Sequence, residues 1–147
     1  MINYQSDVII NRPVEQAFKL AADVAHLDDW TDMTGTHLVS GGDLALGSEI
    51  QTTLKFGPMK QVMTFQVSEF DLQRRLGWKS VSKGALAWDA LYLFEPQGTG
   101  ATRVSTAGQL RLNGLLRLLE PLMAVEVQAG EAKELLRFKQ LVEAAAA

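Results

Sequence analysis

Between residues 35 and 112 the apolar side chains recur at every second position. That period belongs to strands with one buried face and one wet face. EIQTTLKF sets Ile50, Thr52, Leu54 and Phe56 against Glu49, Gln51, Thr53 and Lys55. KQVMTFQVSE groups Met63, Phe65 and Val67, and RLGWKSVS groups Leu76, Trp78 and Ser80. LAWDALYLF groups Leu86, Trp88, Ala90, Tyr92 and Phe94. TRVSTAGQLRL groups Val104, Thr106, Gly108, Leu110 and Leu112. Turn signals separate these runs: GGDLALGS, Gly57–Pro58, Lys83–Gly84 and EPQGTGA. With the leading run INYQSDVIIN (Ile2, Tyr4, Val8 and Ile10 in one class), the pattern predicts about seven strands in an antiparallel meander.

Two segments break the period. VEQAFKLAADVAHLDDW has helical spacing, with Val14, Phe18, Ala21 and Val24 on one side. It reads as two short helices split near Asp23, with Asn11 as a cap and Pro13 in the first turn. Residues 113–145 return to helical period, and Asn113 can cap them. Leu115, Leu118, Leu122, Val125, Ala129 and Ala132 keep spacings of three and four. Leu135, Phe138 and Val142 continue an apolar face that has rotated. Pro121 and Gly130 allow a bend, or delay the regular helix until after Pro121.

The 147 residues fit a single domain spanning 1–147, large enough to bury roughly 70% of its unfolded surface. The chain has no cysteine, so it has no disulfide, thiolate metal site or cysteine nucleophile. Its formal charge of −3 is mixed along the sequence with no basic stripe, which argues against a nucleic-acid partner. MINYQSDVIINRP lacks the pattern of a secretory signal. The most apolar later stretch, LLRLLEPLMAVEVQAG, carries Arg117, Glu120 and Glu126, so no membrane span is expected. We therefore expect a cytoplasmic protein without a cofactor. No feature of the sequence identifies a protein partner.

An apolar sheet face of this length must be covered. The C-terminal helix is the only element large enough, and twisted strands curl around it. A helix about 10 Å across leaves part of that concavity open. The order of strand, two short helices, six strands and long helix resembles the START-like helix-grip superfamily. This superfamily includes the polyketide cyclase/dehydrase-like (SRPBCC) proteins and the birch-pollen-allergen fold. The matching residues are VIINRPVEQAF, Trp30 after the second short helix, RLGW, LFEPQGTGATRV and ELLRFKQLVE. The resemblance implies an α+β helix-grip fold, a seven-stranded curved antiparallel sheet wrapped around the long helix. It also implies an internal cavity for an apolar or amphipathic small molecule such as a lipid, polyketide or aromatic compound.

The inward classes make Thr52, Leu54, Met63, Phe65, Trp78, Trp88, Tyr92, Thr106 and Leu110 candidate cavity residues. The helix would add Leu118, Leu122, Val125 and Ala129. Trp30 is the one large apolar group in DVAHLDDWTDMT, and it is expected to turn inward as a lid or wall. In the same stretch His26 and Asp29 stand three apart on a helix and could form an oriented base. No nucleophile can be tied to that pair, so an exposed polar helix end is the expected reading. Asp28, Asp29 and Asp32 lack a calcium-loop pattern, and no metal site is expected. Tyr92 could donate a proton or hydrogen bond to a ligand. His37 is expected to face outward.

Three functions compete on this reading. A binding protein for a small hydrophobic molecule is favoured because, on the parity assignment, the concave face carries almost no ionisable side chain. A polyketide cyclase or dehydratase would use the same cavity, with Tyr92, Thr106 or the 26–32 segment assisting. A protein-interaction module would need an exposed apolar patch on the outer sheet face.

Overall fold

The structure, a computed structural model, describes residues 1–56 and 59–145, with the side chains of all but Phe56 and Met59. The Gly57–Pro58 turn signal lies outside the described residues. Seven strands run in chain order: β1 (Ile2–Ile10), β2 (Met33–Leu38), β3 (Glu49–Phe56), β4 (Met59–Asp71), β5 (Arg75–Ser80), β6 (Leu86–Gln97) and β7 (Ala101–Leu112). They form one antiparallel sheet in the spatial order β1-β7-β6-β5-β4-β3-β2. Between β1 and β2 lie α1 (Val14–Ala21), a 3-10 turn at Val24–His26 and α2 (Leu27–Trp30). A second 3-10 turn, Gly114–Leu119, leads into α3 (Glu120–Ala144). The result is the α+β helix-grip arrangement.

The inward classes pack as the alternation requires. Ile10, Ile50, Met63, Val104 and Leu110 are fully buried, while Lys55, Lys60, Lys79, Arg103 and Arg111 face solvent on the other side. Register breaks at Thr34/His37 and Val67/Glu69 bend the sheet, as extra residues in one strand do. His37 is exposed, as its parity class required.

Helix α3 covers β1, an edge strand whose outer backbone groups have no strand partner. Side chains of the helix satisfy them. Gln128 accepts from the Gln5 N–H at 3.2 Å and donates to the Gln5 carbonyl at 2.6 Å. Lys139 donates to the Ile9 carbonyl at 2.6 Å, and Glu143 accepts from the Asn11 N–H at 2.7 Å. The edge is thereby closed to other chains.

Local chemistry departs from the sequence reading at both proposed caps. Asn11 does not cap α1, and Asn113 stands at the N-cap of the second 3-10 turn without a side-chain cap bond. Pro13 precedes α1 with extended backbone, and the Asn113 amide donates to the Gly84 carbonyl at 2.7 Å. Gly114, at φ 63°, turns the chain out of β7 in a conformation other residues resist. The regular helix then starts with Pro121 in its first turn, as Pro121 allowed.

The larger correction concerns the helix face. Leu118, Leu122, Val125 and Ala129 do not face the sheet. The first three are 78%, 76% and 77% exposed, and Ala129 is exposed with them. The buried stripe is Glu120, Glu131, Glu134, Leu135, Phe138 and Val142, joined by the partly buried Leu116, Met123, Ala124 and Val127. Counting back from Val142 and Phe138 by threes and fours leads to Glu131 and Val127, not to the leucines. The helix therefore has one register, set by its C-terminal half.

This register makes a contrast that denaturation can read. Phe138→Ala should cost about 3–5 kcal/mol, the usual loss for emptying a buried aromatic site. Leu122→Ala should stay within about 0.5 kcal/mol. Equal losses in urea titrations would show that the helix packs on its leucine face instead.

Candidate functional site

The segment Asp23 to Thr34 is built from separately partnered acids around one inward ring. The Asp23 carboxylate accepts from the Ala25 N–H at 3.1 Å and caps the 3-10 turn. Asp28 accepts from the Thr36 N–H at 3.3 Å, which ties α2 to β2. Asp32 accepts from the Arg137 guanidinium at 3.2 Å. Asp29 lies 2.8 Å from Nδ1 of His26, and the imidazole is held above its usual pKa by that contact and then by Asp23. His26 is half-exposed and does not line the cavity. Among the described residues no three acidic or imidazole groups converge as a metal site requires. Trp30 turns inward and is 2% exposed. Its ring stands 5.7 Å from Tyr92 at 84° and 4.7 Å from Phe138. Arg137 donates to the Trp30 carbonyl at 3.1 Å and fixes the segment to α3.

Under Trp30 lies a small, partly open cavity of about 50 Å³. Its aromatic walls are Tyr4, Trp30, Phe65, Trp78, Trp88 and Tyr92, and Leu27, Met33, Ile50, Leu54 and Ala90 complete the apolar lining. Of the expected residues, Trp30, Leu54, Phe65, Trp78, Trp88 and Tyr92 meet here. Thr52, Met63, Thr106 and Leu110 are buried in the core without lining the space. Thr52 shares a 2.7 Å hydrogen bond with Thr36, whereas Thr106 Oγ1 has no partner among the described residues. A vestibule of about 230 Å³ adjoins the cavity and shares Leu54, Trp88, Glu131 and Glu134 with it. Met123, Val127 and Gly130 form its helix side, and Asp32, Lys55 and Glu126 stand around it. The hollow is narrower than the sheet's curvature alone suggested, because six aromatic rings occupy the concavity.

One glycine shapes this interior. A Cβ at Gly108 would lie 2.2 Å from the Tyr4 hydroxyl and 2.6 Å from the Asp89 carbonyl oxygen. Gly108 therefore lets Tyr4 lie across β7, where its hydroxyl accepts from Trp88 Nε1 at 2.7 Å. That bond satisfies the indole of Trp88. Trp30 Nε1 is buried with no partner among the described residues.

The helix supplies what the strands lack. Glu131 is 4% exposed and Glu134 9%, and both carboxyl groups line the cavity and its vestibule. They hydrogen-bond each other, and Glu134 also accepts from the Asp32 N–H at 3.3 Å. Burial pushes Glu131 up to about 7, and burial plus the neighbouring Glu131 charge drives Glu134 well above the carboxylate range. Two adjacent buried carboxylates cannot both ionise cheaply, so one proton is retained between them near neutrality. Burial, then Glu134 and Glu131, raises Tyr92 as well, so its phenol remains a donor. Burial and Glu131 act the same way on Tyr4. The inward strand classes hold almost no ionisable group, but the concave side as a whole does. The sequence signal was available, since Glu131 and Glu134 lie one turn before Leu135 and Phe138 on the same face.

A curved sheet closed by one helix around a small aromatic chamber defines the helix-grip class. The sequence pattern of the family described as "Polyketide cyclase / dehydrase and lipid transport" matches residues 1–143, and the chain belongs to that family. No curated protein sequence matches it significantly. Among solved structures, it is similar to TTHA0849 from Thermus thermophilus, with 19% identity and a TM-score of 0.82 over 99% of each chain. It is similar to the Zhui aromatase/cyclase from Streptomyces sp. R1128, with 10% identity and a TM-score of 0.78, covering 96% of this chain and 93% of that one. The di-domain aromatase/cyclase BexL of the BE-7585A biosynthetic pathway is 18% identical with a TM-score of 0.76. This chain is 97% covered there and spans 47% of BexL. Among the described residues no helix is long and apolar enough to cross a membrane.

The carboxyl pair ties stability to pH. Both groups bind protons more tightly when folded than when unfolded, so the folded state carries more protons above about pH 4.5. Stability is then full at low pH and falls as pH rises through 7. The Glu131 shift alone corresponds to a loss of roughly 3 kcal/mol by pH 8. Urea midpoints at pH 5 and pH 8 should show that drop in the wild type and a much smaller one in the Glu131→Gln/Glu134→Gln double variant. A flat wild-type profile would show that the pair is not desolvated.

Proposed function

We propose that the protein binds a small amphipathic molecule across the aromatic chamber and its vestibule, with its polar part at Glu131 and Glu134, which line both. The observation that carries this reading is the aromatic-lined chamber itself. Convergent aromatic side chains with a few buried polar groups are the usual make-up of a small-molecule site. The unpartnered N–H of Trp30 adds a donor with nothing to donate to, and buried polar groups are normally satisfied. Family membership and the aromatase/cyclase neighbours support a ligand cavity of this general kind. At about 50 Å³ the inner chamber holds only a few water-sized groups, so the rest of a ligand occupies the vestibule. Titration with amphipathic small molecules should change the emission of Trp30, Trp78 and Trp88, and native mass spectrometry should register the complex. Unchanged emission together with an unaltered mass would remove the reading.

A second reading, an enzyme of the cyclase or dehydratase type, is favoured by the carboxyl pair. Glu131, pushed up to about 7, can accept or give a proton at neutral pH, and protonated Glu134 beside it can donate. Tyr92, held as a phenol, can hydrogen-bond a developing oxyanion. Turnover of a poly-β-keto substrate that falls at least about 100-fold in Glu131→Gln would support this chemistry. Turnover unchanged in that variant would exclude Glu131 as its base.

A further inference from the structure

The two buried carboxyl groups lack what usually accompanies such a pair. Among the described residues no lysine or arginine lies within ion-pair distance of Glu131 or Glu134. The nearest guanidinium, Arg137, is engaged by Asp32 and the Trp30 carbonyl. The groups facing the pair from neighbouring elements are the phenols Tyr4 of β1 and Tyr92 of β6, with Asp32 after α2. Around the vestibule stand Lys55 of β3 and Glu126 of α3. While the pair keeps its protons, Asp32 is matched by Arg137 and Glu126 by Lys55, so the mouth attracts cations and repels anions only as the pair ionises.

The walls have matching chemistry. Five rings with electron-rich faces line the inner chamber: Tyr4, Trp30, Trp78, Trp88 and Tyr92. Tyr4 meets Trp88 at 75° and Trp30 meets Tyr92 at 84°, so the walls stand in more than one plane. Tryptophan and tyrosine faces attract a desolvated cation through their quadrupoles. Carboxylates behind those rings would supply the full countercharge. Glu131, which is nine-tenths buried and turned to this space, has no partner but Glu134.

We propose that the site takes a primary ammonium group on a short apolar stem, the head in the inner chamber against Glu131 and Glu134 and the stem in the vestibule. This rests on the ligand-binding reading above and narrows it to one charge class. The volumes agree, since a –CH2–NH3⁺ head has two heavy atoms and the inner chamber is small while the vestibule is apolar on its Leu54, Met123 and Val127 side. An anionic lipid head would face two carboxyl groups with no cation to offset them. An ammonium head needs at least one of them ionised. Its binding at pH 6, where the pair is largely protonated, therefore expels a proton to solvent.

Isothermal titration of the full chain at pH 6 with hexylammonium, 1-hexanol and hexanoate tests this directly. Hexylammonium should bind at least about tenfold tighter than 1-hexanol, with hexanoate weakest. The heat for hexylammonium should depend on the ionisation enthalpy of the buffer, which reads the released proton on the wild type alone. Glu131→Gln and Glu134→Gln should each bring hexylammonium and 1-hexanol to within about threefold of one another. If 1-hexanol or hexanoate binds as tightly as the amine, or no proton is released, the ammonium inference is overturned while the ligand-binding reading stands. If none of the three changes the heat or the tryptophan emission, both are overturned.

Discussion

A regular helix laid on a sheet can bury only one stripe, and the fit of its best-packed turns decides which. Here the last three turns of α3 decide it. Leu135, Phe138 and Val142 are buried almost completely, with Phe138 against Trp30. Lys139 and Glu143 bond the backbone of β1 and its extension at the same end. Once those turns are seated, the helical period allows no choice upstream. Glu131 and Glu134 enter the core, and Leu118, Leu122 and Val125 leave it. The chamber, its acidity and the exposed leucines all follow from that single register.

The register runs against simple hydrophobic sorting. Two carboxyl groups are desolvated while several large aliphatic side chains stay in water, each choice costing free energy. A rotation of α3 by nearly half a turn would reverse both costs for its N-terminal half, but it would unseat Phe138 and the bonds to β1. Local choices that conflict with the rest of a fold tend to gather where function is carried. The conflict here centres on the carboxyl pair at the chamber's mouth, next to Trp30, whose indole N–H also has no partner among the described residues.

The sheet could be read from the sequence because its signal is short-range and redundant. Each strand repeats the same two-residue alternation, and five separate runs agree. Trp30 was equally plain, being the lone large apolar residue in a polar segment. The helix face was not legible in the same way. Its N-terminal leucines form a persuasive stripe, and nothing local says that the stripe is displaced from that of Leu135, Phe138 and Val142. The rotation between the two was itself the clue, since a straight helix cannot bury both. The acidity of the chamber was missed for the same reason. It was sought among strand residues, where parity is easy to follow, and it came from the helix. The chamber's small volume depends on how Trp78, Trp88 and Phe65 pack across strands, which periodicity does not report.

Acidity and aromaticity are coupled in this interior, not merely adjacent. The rings exclude water from Glu131 and Glu134 and so raise their proton affinity. The retained proton lets two carboxyl groups lie together in the core without a cation beside them. Tyr4 and Tyr92 are held as phenols by the same burial and the same carboxyl groups. Charge state, hydration and occupancy of the chamber are therefore one linked equilibrium. A group entering from the vestibule changes all three at once, because it displaces water and meets a proton held by the pair. A neutral guest leaves that proton in place, whereas a cation makes it leave. The proton count on binding thus distinguishes a chamber that merely shelters apolar surface from one whose buried charge selects what enters.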